Sequence, residues 1–392
     1  PVRRTALHDW HERRGALFIE AGLWKRASCY PRAGEDIAAA TRREALAVRA
    51  SVGLCDVSTL GKIDVFGPDA AEFLNRIYLN GMLKLPTGKV RYGIMLREDG
   101  HVLDDGTAAR LSGEHYLVTT TTANAARILA HMEYHMQVAW PELDVAVCSA
   151  TEQWATMALA GPRSRETLAA ALDGVDVSEA SLPFMGFIEC RPFGFPIRVF
   201  RISFSGERAY ELSVPWGYAE ALWQRLLDAG EPFAITPYGT EALGMLRIEK
   251  GHPAGPELDG RTTAIDLGFE QLVAAQKKAY VGQVMARRPG LLDPERPRLV
   301  GLRCRDAGLR FRSGAHLLES GAPAGTGHVQ GWVSSVTDSP HCGGWIGLGF
   351  LSRGEQRHGE RVQAVFPLYQ EAVEVEVCAP VFVDPEGERL RG

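Results

Sequence analysis

The chain has 392 residues, of which 45% are hydrophobic and 23% charged, and its formal net charge is −5. This length fits two or three domains with a large buried core, and the composition is that of an ordinary globular protein. The negative net charge and the lack of a dense Lys/Arg run argue against a nucleic-acid partner, and no stretch reaches the roughly 18–20 apolar residues of a membrane span.

Cysteine usage indicates the cellular compartment. The seven cysteines are dispersed without any CxxC pair: Cys29, Cys55, Cys148, Cys190, Cys304, Cys342 and Cys378. Their odd number and wide spacing predict reduced thiols in a cytoplasmic protein, not a disulfide framework or a zinc site. We find no signal-peptide pattern, and the start at Pro1 without a methionine is consistent with a processed product or a segment of something longer.

Residues 1–50 form a polar lead-in with two helical patterns, one of them Ala-rich over residues 37–48. The lead-in also carries four large apolar side chains: Trp10, Leu17, Phe18 and Trp24. Because such side chains need a surface to lie against, we expect the lead-in to pack on the core.

The next stretch organises the first half of the core. An apolar run leads through Gly67-Pro68-Asp69 into apolar residues at three- and four-residue spacing, which predicts a helix over residues 70–78. Pro68 suits a first helical turn, where its missing N–H has no partner to lose. Asp104 and Asp105 then fall in a predicted turn between two strand-like runs, where a carboxylate would be held on a rigid frame.

A second block repeats this order. The pair Gly161-Pro162 follows an apolar run as Gly67-Pro68 does, and a helical pattern follows both pairs. The predicted strands of this block are residues 154–160, 197–203 and 210–214, and its predicted helices are 163–172 and 218–227. The repetition suggests two related α+β halves.

The end of the chain differs from the preceding blocks in composition and in predicted secondary structure. A helix is predicted over Leu243–Lys250, and the composition shifts to Pro, Arg and Asp near residues 289–297, which indicates a domain boundary. Short strands at close intervals then predict a small all-β barrel or sandwich: residues 299–304, 328–336, 345–350, 361–366 and 372–377.

Asp105 is the first candidate for chemistry. A carboxylate on a strand–turn could accept a proton from a nitrogen substrate, and the like charge of Asp104 could raise its pKa. The alternative is an ordinary Asp-Asp-Gly turn in which the side chain caps its own backbone. Both interpretations stay open from the local sequence.

Glu211 is the second candidate. It follows Tyr210 in a strand-like run, so the two side chains point to opposite faces. The Glu211 carboxylate could accept hydrogen bonds from two adjacent N–H donors of a flat ring. Phe204 could stack on such a ring. A solvated strand face for Glu211 and a core position for Phe204 are the alternatives.

Arg247 and the pair His131 and His135 are further candidates. Arg247 lies on a mostly apolar helix face and needs either a protein carboxylate or an anionic ligand as a partner. His131 and His135 stand at i, i+4 spacing and could share a metal, but no third ligand is apparent in the sequence. We therefore interpret both histidines as exposed helix residues and predict no metal site.

These candidates coincide with family motifs. The chain resembles the glycine cleavage T-protein (aminomethyltransferase) family and, within it, the folate-binding C-terminal half of the sarcosine oxidase alpha subunit. The resemblance covers nearly the whole chain and rests on these stretches: residues 7–11, 56–63, 67–70, 91–93 with Asp104-Asp105, 152–156, 204–211, 235–241, 246–251 and 334–340.

The resemblance implies a fold and a function. It implies a three-domain α+β fold with a C-terminal β-barrel. We divide the chain into a lead-in packed on the core (residues 1–50), two α+β halves of the folate-binding region (51–150 and 151–290) and the barrel (291–392). The resemblance also implies a tetrahydrofolate-dependent transferase that forms 5,10-methylenetetrahydrofolate from the iminium or aminomethyl group of a small methylated amine, with a flavoprotein oxidase subunit as a partner.

Site residues follow from the same resemblance. It puts Asp105 near the folate N10 and the reacting carbon, Glu211 on the pterin ring, and Phe204 in a stacking position. It also puts Tyr92 and Arg247 in the lining of the pocket. A carboxylate suits this chemistry, because it can stabilise iminium charge and relay protons.

Two departures and two alternatives remain. Asn80-Gly81 replaces the usual Asn-Asp, and the loop at residues 251–260 differs from the family pattern, so the identity of the amine donor stays open. The alternatives are a folate-dependent demethylase of an S-, O- or N-methyl donor and a non-enzymatic folate-binding assembly factor. The factor's Lys-Gly-Cys-Tyr-x-Gly-Gln motif lacks its cysteine here, at residues 277–283.

Overall fold

The computed structural model describes residues 2–273, 277, 279–304, 306, 308–323 and 325–392, so Lys278, within the 277–283 stretch, lies outside the described residues. Within these residues the strands form three open sheets and one closed barrel, with helices packed on the sheets. The predicted α+β class with a C-terminal barrel is confirmed.

The lead-in packs on the core as predicted. Its elements are β1 (Arg3–Arg4), α1 (His8–Arg13), β2 (Leu17–Ala21), β3 (Trp24–Cys29) and α2 (Ile37–Ala50). Trp10 is 5% exposed and Trp24 only 1%, whereas Leu17 is 41% exposed and does not serve as an anchor. The sequence indicated the two helices but not the β2–β3 hairpin that lies between them.

The next part of the chain supplies the sheet that carries Asp105. Its elements are β4 (Gly53–Asp56), β5 (Gly61–Phe66), α3 (Ala70–Ile77), β6 (Val90–Leu96), β7 (Val102–Ser112), β8 (His115–Thr120), α4 (Ala125–Tyr134) and β9 (Ala146–Ser149). Strands β6, β7, β8, β5 and β9 neighbour one another in that order and form the first sheet.

The third part supplies the sheet that carries Glu211. Its elements are β10 (Trp154–Ala160), α5 (Ser164–Ala171), β11 (Phe187–Cys190), β12 (Ile197–Phe200), β13 (Ala209–Pro215), α6 (Ala219–Gly230), β14 (Thr236–Pro237) and α7 (Thr240–Lys250). The strand order of this second sheet is β11, β12, β13, β10, β4, β14. Because β4 comes from the earlier part of the chain, the two parts interleave, and the division at residue 151 stays a prediction.

The repeated Gly-Pro pair has the same conformation in both halves. Gly67 has φ +124° and Gly161 has φ +130°, in the region that favours glycine. A Cβ atom at either glycine would lie 2.3 Å from a backbone carbonyl oxygen, of Asp144 and of Ser51 respectively. Both positions thus require glycine for conformation and for space, which supports the interpretation of two related halves.

The two sheets face each other through an apolar cluster. Ala109 of β7 and Leu117 of β8 pack with Phe200 and Ile202 from the region of β12. The opposite face of each sheet packs against its own helices, in two larger apolar clusters. Polar side chains between the sheets therefore lie in the middle of the molecule.

The C-terminal strands close into a barrel in the order β15, β18, β17, β16, β19, β20. Their bounds are β15 (Pro297–Cys304), β16 (His316–Glu319), β17 (Gly331–Ser339), β18 (Gly344–Ser352), β19 (Arg361–Phe366) and β20 (Glu371–Cys378), followed by the short helix α8 (Glu388–Arg391). Five of these strands coincide with predicted runs. The sequence does not predict β16, which is only four residues long.

All seven cysteines are free thiols. Among the described residues, no helix combines the length and the apolar character needed to cross a membrane.

Candidate functional site

Asp105 lies within a strand and not in a turn, which corrects the sequence expectation. The chain turns at Gly100, where φ is +89°, and β7 then runs unbroken past Gly106. Pairing with β6, which includes Asp104, Asp105 and Gly106, outweighs the local turn preference of Asp and Gly, and β8 pairs with β7 from Ala108 onwards. At Gly106 a Cβ atom would lie 2.0 Å from the carbonyl oxygen of Thr119, so glycine serves strand packing there.

Asp105 is half-buried and holds one hydrogen bond from a neighbouring strand. The hydroxyl of Tyr92, on β6, donates to Oδ2 of Asp105 at 2.9 Å. The pKa of Asp105 is raised to about 7, chiefly by burial and also by the negative charge of Asp104, while the Tyr92 hydrogen bond opposes both effects. A carboxyl group with this pKa exchanges its proton near neutral pH.

Asp104 points to the other face of β7 and is 1% exposed. Its carboxylate accepts hydrogen bonds from the amide and the hydroxyl of Thr121, at 3.1 and 2.7 Å, and from Nδ2 of Asn124 at 3.0 Å. The two adjacent aspartates therefore differ in their surroundings: Asp104 is hydrogen-bonded to the segment that follows β8, and Asp105 faces the other sheet.

Glu211 lies on the inner face of β13. Its neighbours Tyr210 and Leu212 point into the apolar cluster on the helix side, so Glu211 points towards the first sheet. Burial raises the pKa of Glu211 to about 7, and the positive charge of Lys62 opposes that rise. Among the described residues, the Glu211 carboxylate accepts no hydrogen bond, although it is half-buried.

Lys62, on β5, is a site residue that the sequence analysis did not single out. It is 2% exposed, and its Nζ donates to the carbonyl oxygens of Ser58 (2.8 Å) and Leu60 (3.1 Å). Burial lowers the pKa of Lys62 to about 8, while the charges of Asp56 and Glu211 raise it. The signal in the sequence is a lysine that alternates with the apolar residues Ile63 and Val65 of a predicted strand.

Asp105 and Glu211 belong to the same space between the sheets. Lys62, Thr107 and Glu211 line one small cavity, whose volume is about 10 Å³, room for about one water. Thr107 and Asp105 are two residues apart on a regular part of β7, so their side chains share one face. The two carboxylates therefore project from facing sheets towards a common interior region.

Phe204 and Arg247 are placed differently. Phe204 is 37% exposed, its ring lies 6.0 Å from that of His252, and its carbonyl oxygen accepts a hydrogen bond from His252 Nδ1 at 3.0 Å. Arg247 is buried and bonded within the protein, with Nη1 2.8 Å from Glu257 Oε2 and Nη2 2.7 Å from Ser335 Oγ. Its guanidinium joins α7 to the barrel.

Two stretches contain a departure from the family pattern: the pair Asn80-Gly81, in which Gly81 is the departure, and the 251–260 loop. Asn80 accepts a hydrogen bond from the amide of Ile94 (3.0 Å) and donates one to the carbonyl of Tyr92 (3.2 Å), which fixes the loop against β6. The unusual 251–260 loop supplies Glu257, the carboxylate that holds Arg247 and accepts the hydroxyls of Ser334 and Ser335 at 2.5 and 2.6 Å.

The expectation that His131 and His135 are exposed helix residues is wrong. His135 is 5% exposed and His131 is half-buried. A third polar side chain, Glu98, lies beside them, from a turn more than thirty residues earlier in the chain. Sequence spacing alone gave no indication of Glu98.

Comparison with known proteins identifies the family. The model described as "GCVT N-terminal domain" matches residues 7–277, and the one described as "Glycine cleavage T-protein C-terminal barrel domain" matches residues 298–384. The fold is similar to the crystal structure of glycine cleavage system aminomethyltransferase T from Bartonella henselae, with a TM-score of 0.85 and 26% identity over 98% of this chain and 99% of that one.

Curated relatives agree with this result. The chain is 50% identical over 393 residues to the sarcosine oxidase subunit alpha of Rhizobium meliloti (strain 1021), covering 100% of this chain and 40% of that protein. It is 33% identical over 355 residues to an aminomethyltransferase of Rubrobacter xylanophilus, covering 89% of this chain and 87% of that protein. The chain thus spans about two fifths of the sarcosine oxidase alpha subunits that it matches. The predicted aminomethyltransferase fold is confirmed, and the chain belongs to the glycine cleavage T-protein (aminomethyltransferase) family.

Proposed function

We propose that the protein catalyses tetrahydrofolate-dependent one-carbon transfer and forms 5,10-methylenetetrahydrofolate from an iminium or aminomethyl group. The observation that carries the proposal is the pair of half-buried carboxylates, Asp105 and Glu211, on facing sheets. Both have a pKa of about 7, so each can change its protonation state in the neutral range. Family membership supports the same chemistry.

Asp105 is proposed to act on the carbon that is transferred. Its ionised form would stabilise the positive charge of an iminium, and its protonated form would return a proton as N5 and N10 of the folate close on that carbon. The hydrogen bond from Tyr92 to Oδ2 orients the carboxylate. Among the described residues, no side chain other than Tyr92 donates a hydrogen bond to the Asp105 carboxylate, which leaves room for a substrate group at Oδ1.

Glu211 is proposed to bind the pterin edge. An ionised carboxylate can accept two adjacent N–H donors in parallel, and Glu211 has no competing donor among the described residues. The cavity beside it is about 10 Å³, so a bicyclic ring requires the side chains between the sheets to move apart. The stacking role of Phe204 and the pocket-lining role of Arg247 rest on the family resemblance.

The donor is proposed to be a small methylated amine that a flavoprotein oxidase subunit converts to its iminium. The match to sarcosine oxidase alpha subunits over the whole of this chain supports this origin of the one-carbon unit. In the complete oxidase complex, turnover of an N-methyl amine should yield 5,10-methylenetetrahydrofolate when tetrahydrofolate is present and free formaldehyde when it is absent. Formaldehyde in both cases would contradict the proposal.

Calorimetric titration with tetrahydrofolate tests the two assignments. The wild-type chain and Asp105→Asn should bind with dissociation constants within about threefold, whereas Glu211→Ala should lose binding, because a buried carboxylate that accepts charge-assisted hydrogen bonds contributes about 1.5–3 kcal/mol or more. Glu114→Gln, on an exposed turn, is the matched control. Equal binding by Glu211→Ala would refute the assignment of Glu211.

A further inference from the structure

Three side chains with metal-ligating atoms converge outside the region between the sheets. Glu98 comes from the turn between β6 and β7, His131 from α4, and His135 from the helical turn that continues α4. One ligand atom of each residue lies within 4.8 Å of those of the other two. A small shift of side chains would bring them to the 2.0–2.2 Å bond lengths that Zn²⁺ adopts with histidine and carboxylate ligands.

The hydrogen bonding of His135 leaves a lone pair available. Its Nδ1 lies 2.8 Å from the carbonyl oxygen of His131, and because a carbonyl only accepts, Nδ1 carries the proton. In the neutral ring the other nitrogen, Nε2, then has a free lone pair. A ring oriented by a backbone carbonyl is the usual arrangement of a metal-binding histidine.

The other two side chains have polar atoms without a partner among the described residues. Nε2 of His131 is buried and has no hydrogen-bond partner in the described structure, and an unsatisfied buried polar atom costs about 1–3 kcal/mol. The Glu98 carboxylate makes neither an ion pair nor a hydrogen bond with any described residue. A cation bound between the three residues would satisfy all of them.

The surroundings allow access. Glu98, His135 and Trp140 line a cleft with a volume of about 1650 Å³. Residues 135–139 form a π-helical turn, a rare geometry that is often found at functional sites and here directs His135 towards the cleft. A metal ion could therefore enter from the cleft and keep a coordination position open to it.

Ring packing alone does not explain the cluster. The ring of His135 lies 4.7 Å from that of Trp140 and 4.4 Å from that of His131, so the histidines also contribute apolar contacts. These contacts account for the positions of the rings. They leave the unpartnered Nε2 of His131 and the approach of Glu98 unexplained.

We propose that Glu98, His131 and His135 form a binding site for a divalent transition-metal ion, with Zn²⁺ as the best match to two imidazoles and one carboxylate. Three protein ligands leave a fourth position for water or a small ligand from the cleft. The ion would connect the β6–β7 turn to α4. This site replaces the sequence-based prediction of no metal, and it is independent of the proposed folate chemistry.

Zinc analysis of the full chain without a histidine tag tests the site. After removal of metals with a chelator and dialysis against micromolar Zn²⁺, the wild-type chain should retain about one Zn²⁺, and Glu98→Gln and His131→Gln should bind at least about tenfold more weakly. Co²⁺ in place of Zn²⁺ should give the visible absorption of inner-sphere nitrogen coordination, and His131→Gln should remove it.

Two control variants locate the signal. Glu114→Gln removes an exposed carboxylate elsewhere, and Glu12→Gln removes one member of the second cluster of possible ligands, His8, Asp9 and Glu12. Both should retain the metal. Zinc retention that is the same in wild type, Glu98→Gln and His131→Gln, or that depends on Glu12, would overturn the proposal. Because Glu98 is exposed, Glu98→Gln decides the question even if His131→Gln does not fold.

Discussion

Asp105 and Glu211 reach the same pKa, about 7, in opposite electrostatic surroundings. In both cases burial is the main cause. The charge next to Asp105 is another carboxylate, Asp104, which raises its pKa further, whereas the charge next to Glu211 is the ammonium of Lys62, which lowers it. The comparison shows that similar pKa values do not imply similar sites.

The difference in neighbouring charge suits Asp105 and Glu211 to different tasks. A carboxyl group beside a like charge takes up a proton readily, as a proton relay requires, whereas one beside a buried ammonium is biased towards the ionised form, as an acceptor of N–H donors requires. The raised pKa values of both groups reduce the stability of the fold near neutral pH. Because each pKa is higher in the folded chain than in the unfolded one, the stability each contributes is present below about pH 4 and is lost as the pH rises towards 7.

The largest expected effect comes from exchanging each carboxyl group for its amide. Asp105→Asn should lower kcat for methylene transfer by about 10²–10⁴-fold with little change in the dissociation constant of tetrahydrofolate, since it removes the proton acceptor and keeps the shape. Glu211→Gln should weaken folate binding and leave kcat at saturation within a few-fold. Stopped-flow kinetics and calorimetry separate the two constants. If both variants affect the same constant, the division of tasks is wrong.

The structure also shows where sequence reasoning succeeds and where it fails. The sequence predicts β10 and β13 to within a residue at each end, because β10 is a nearly continuous apolar run and β13 carries apolar residues at every second position. Asp104 and Asp105 were assigned to a turn, since local preference cannot reveal that β6 and β8 pair with both sides of β7. The sequence does not indicate Lys62 or Glu98, because Glu211, near Lys62, and the two histidines, near Glu98, are far away in the chain.

The next largest effect should come from Lys62, and it tests the surroundings of Glu211. Lys62→Met keeps the length of the side chain and removes the charge, so the pKa of Glu211 should rise. Folate binding at pH 7 should then weaken by about fivefold, and the pH at which binding is half-maximal should move up by about one unit.

Two further variants control the Lys62 experiment. Lys84→Met removes an exposed lysine and should leave the pH profile unchanged. In a Glu211→Gln background, Lys62→Met should no longer shift the profile, because the group that titrates is gone. A shift that persists in the double variant would show that Lys62 acts through something other than Glu211.

Asp104 gives the corresponding test for Asp105. Asp104→Asn removes the like charge, so the pKa of Asp105 should fall and the acidic limb of the kcat profile should move down by about half to one pH unit. The variant also disturbs the hydrogen bonds from Thr121 and Asn124, so unfolding should be measured alongside it. Asp144→Asn, on the surface, should leave the profile in place. An upward movement would contradict the like-charge explanation.

The smallest effect should come from Tyr92, and its sign is opposite to that of Asp104. Tyr92→Phe removes only the hydroxyl that donates to Asp105 Oδ2, while the edge-on contact of the ring with Phe269, at 5.9 Å, can remain. Losing a donor to the charged form raises the pKa of Asp105, so the acidic limb of the kcat profile should move up by about half a unit.

The double variant of Asp104 and Tyr92 makes this small shift decisive, because the two residues act on the pKa of Asp105 in opposite directions. If burial, a like charge and one hydrogen bond together set the pKa of Asp105, then Asp104→Asn and Tyr92→Phe should partly cancel in the double variant. Two substitutions that only loosen the site would instead both lower kcat and leave its pH dependence where it was. The pH profile of the double variant therefore distinguishes electrostatic control of Asp105 from general damage to the strand that carries it.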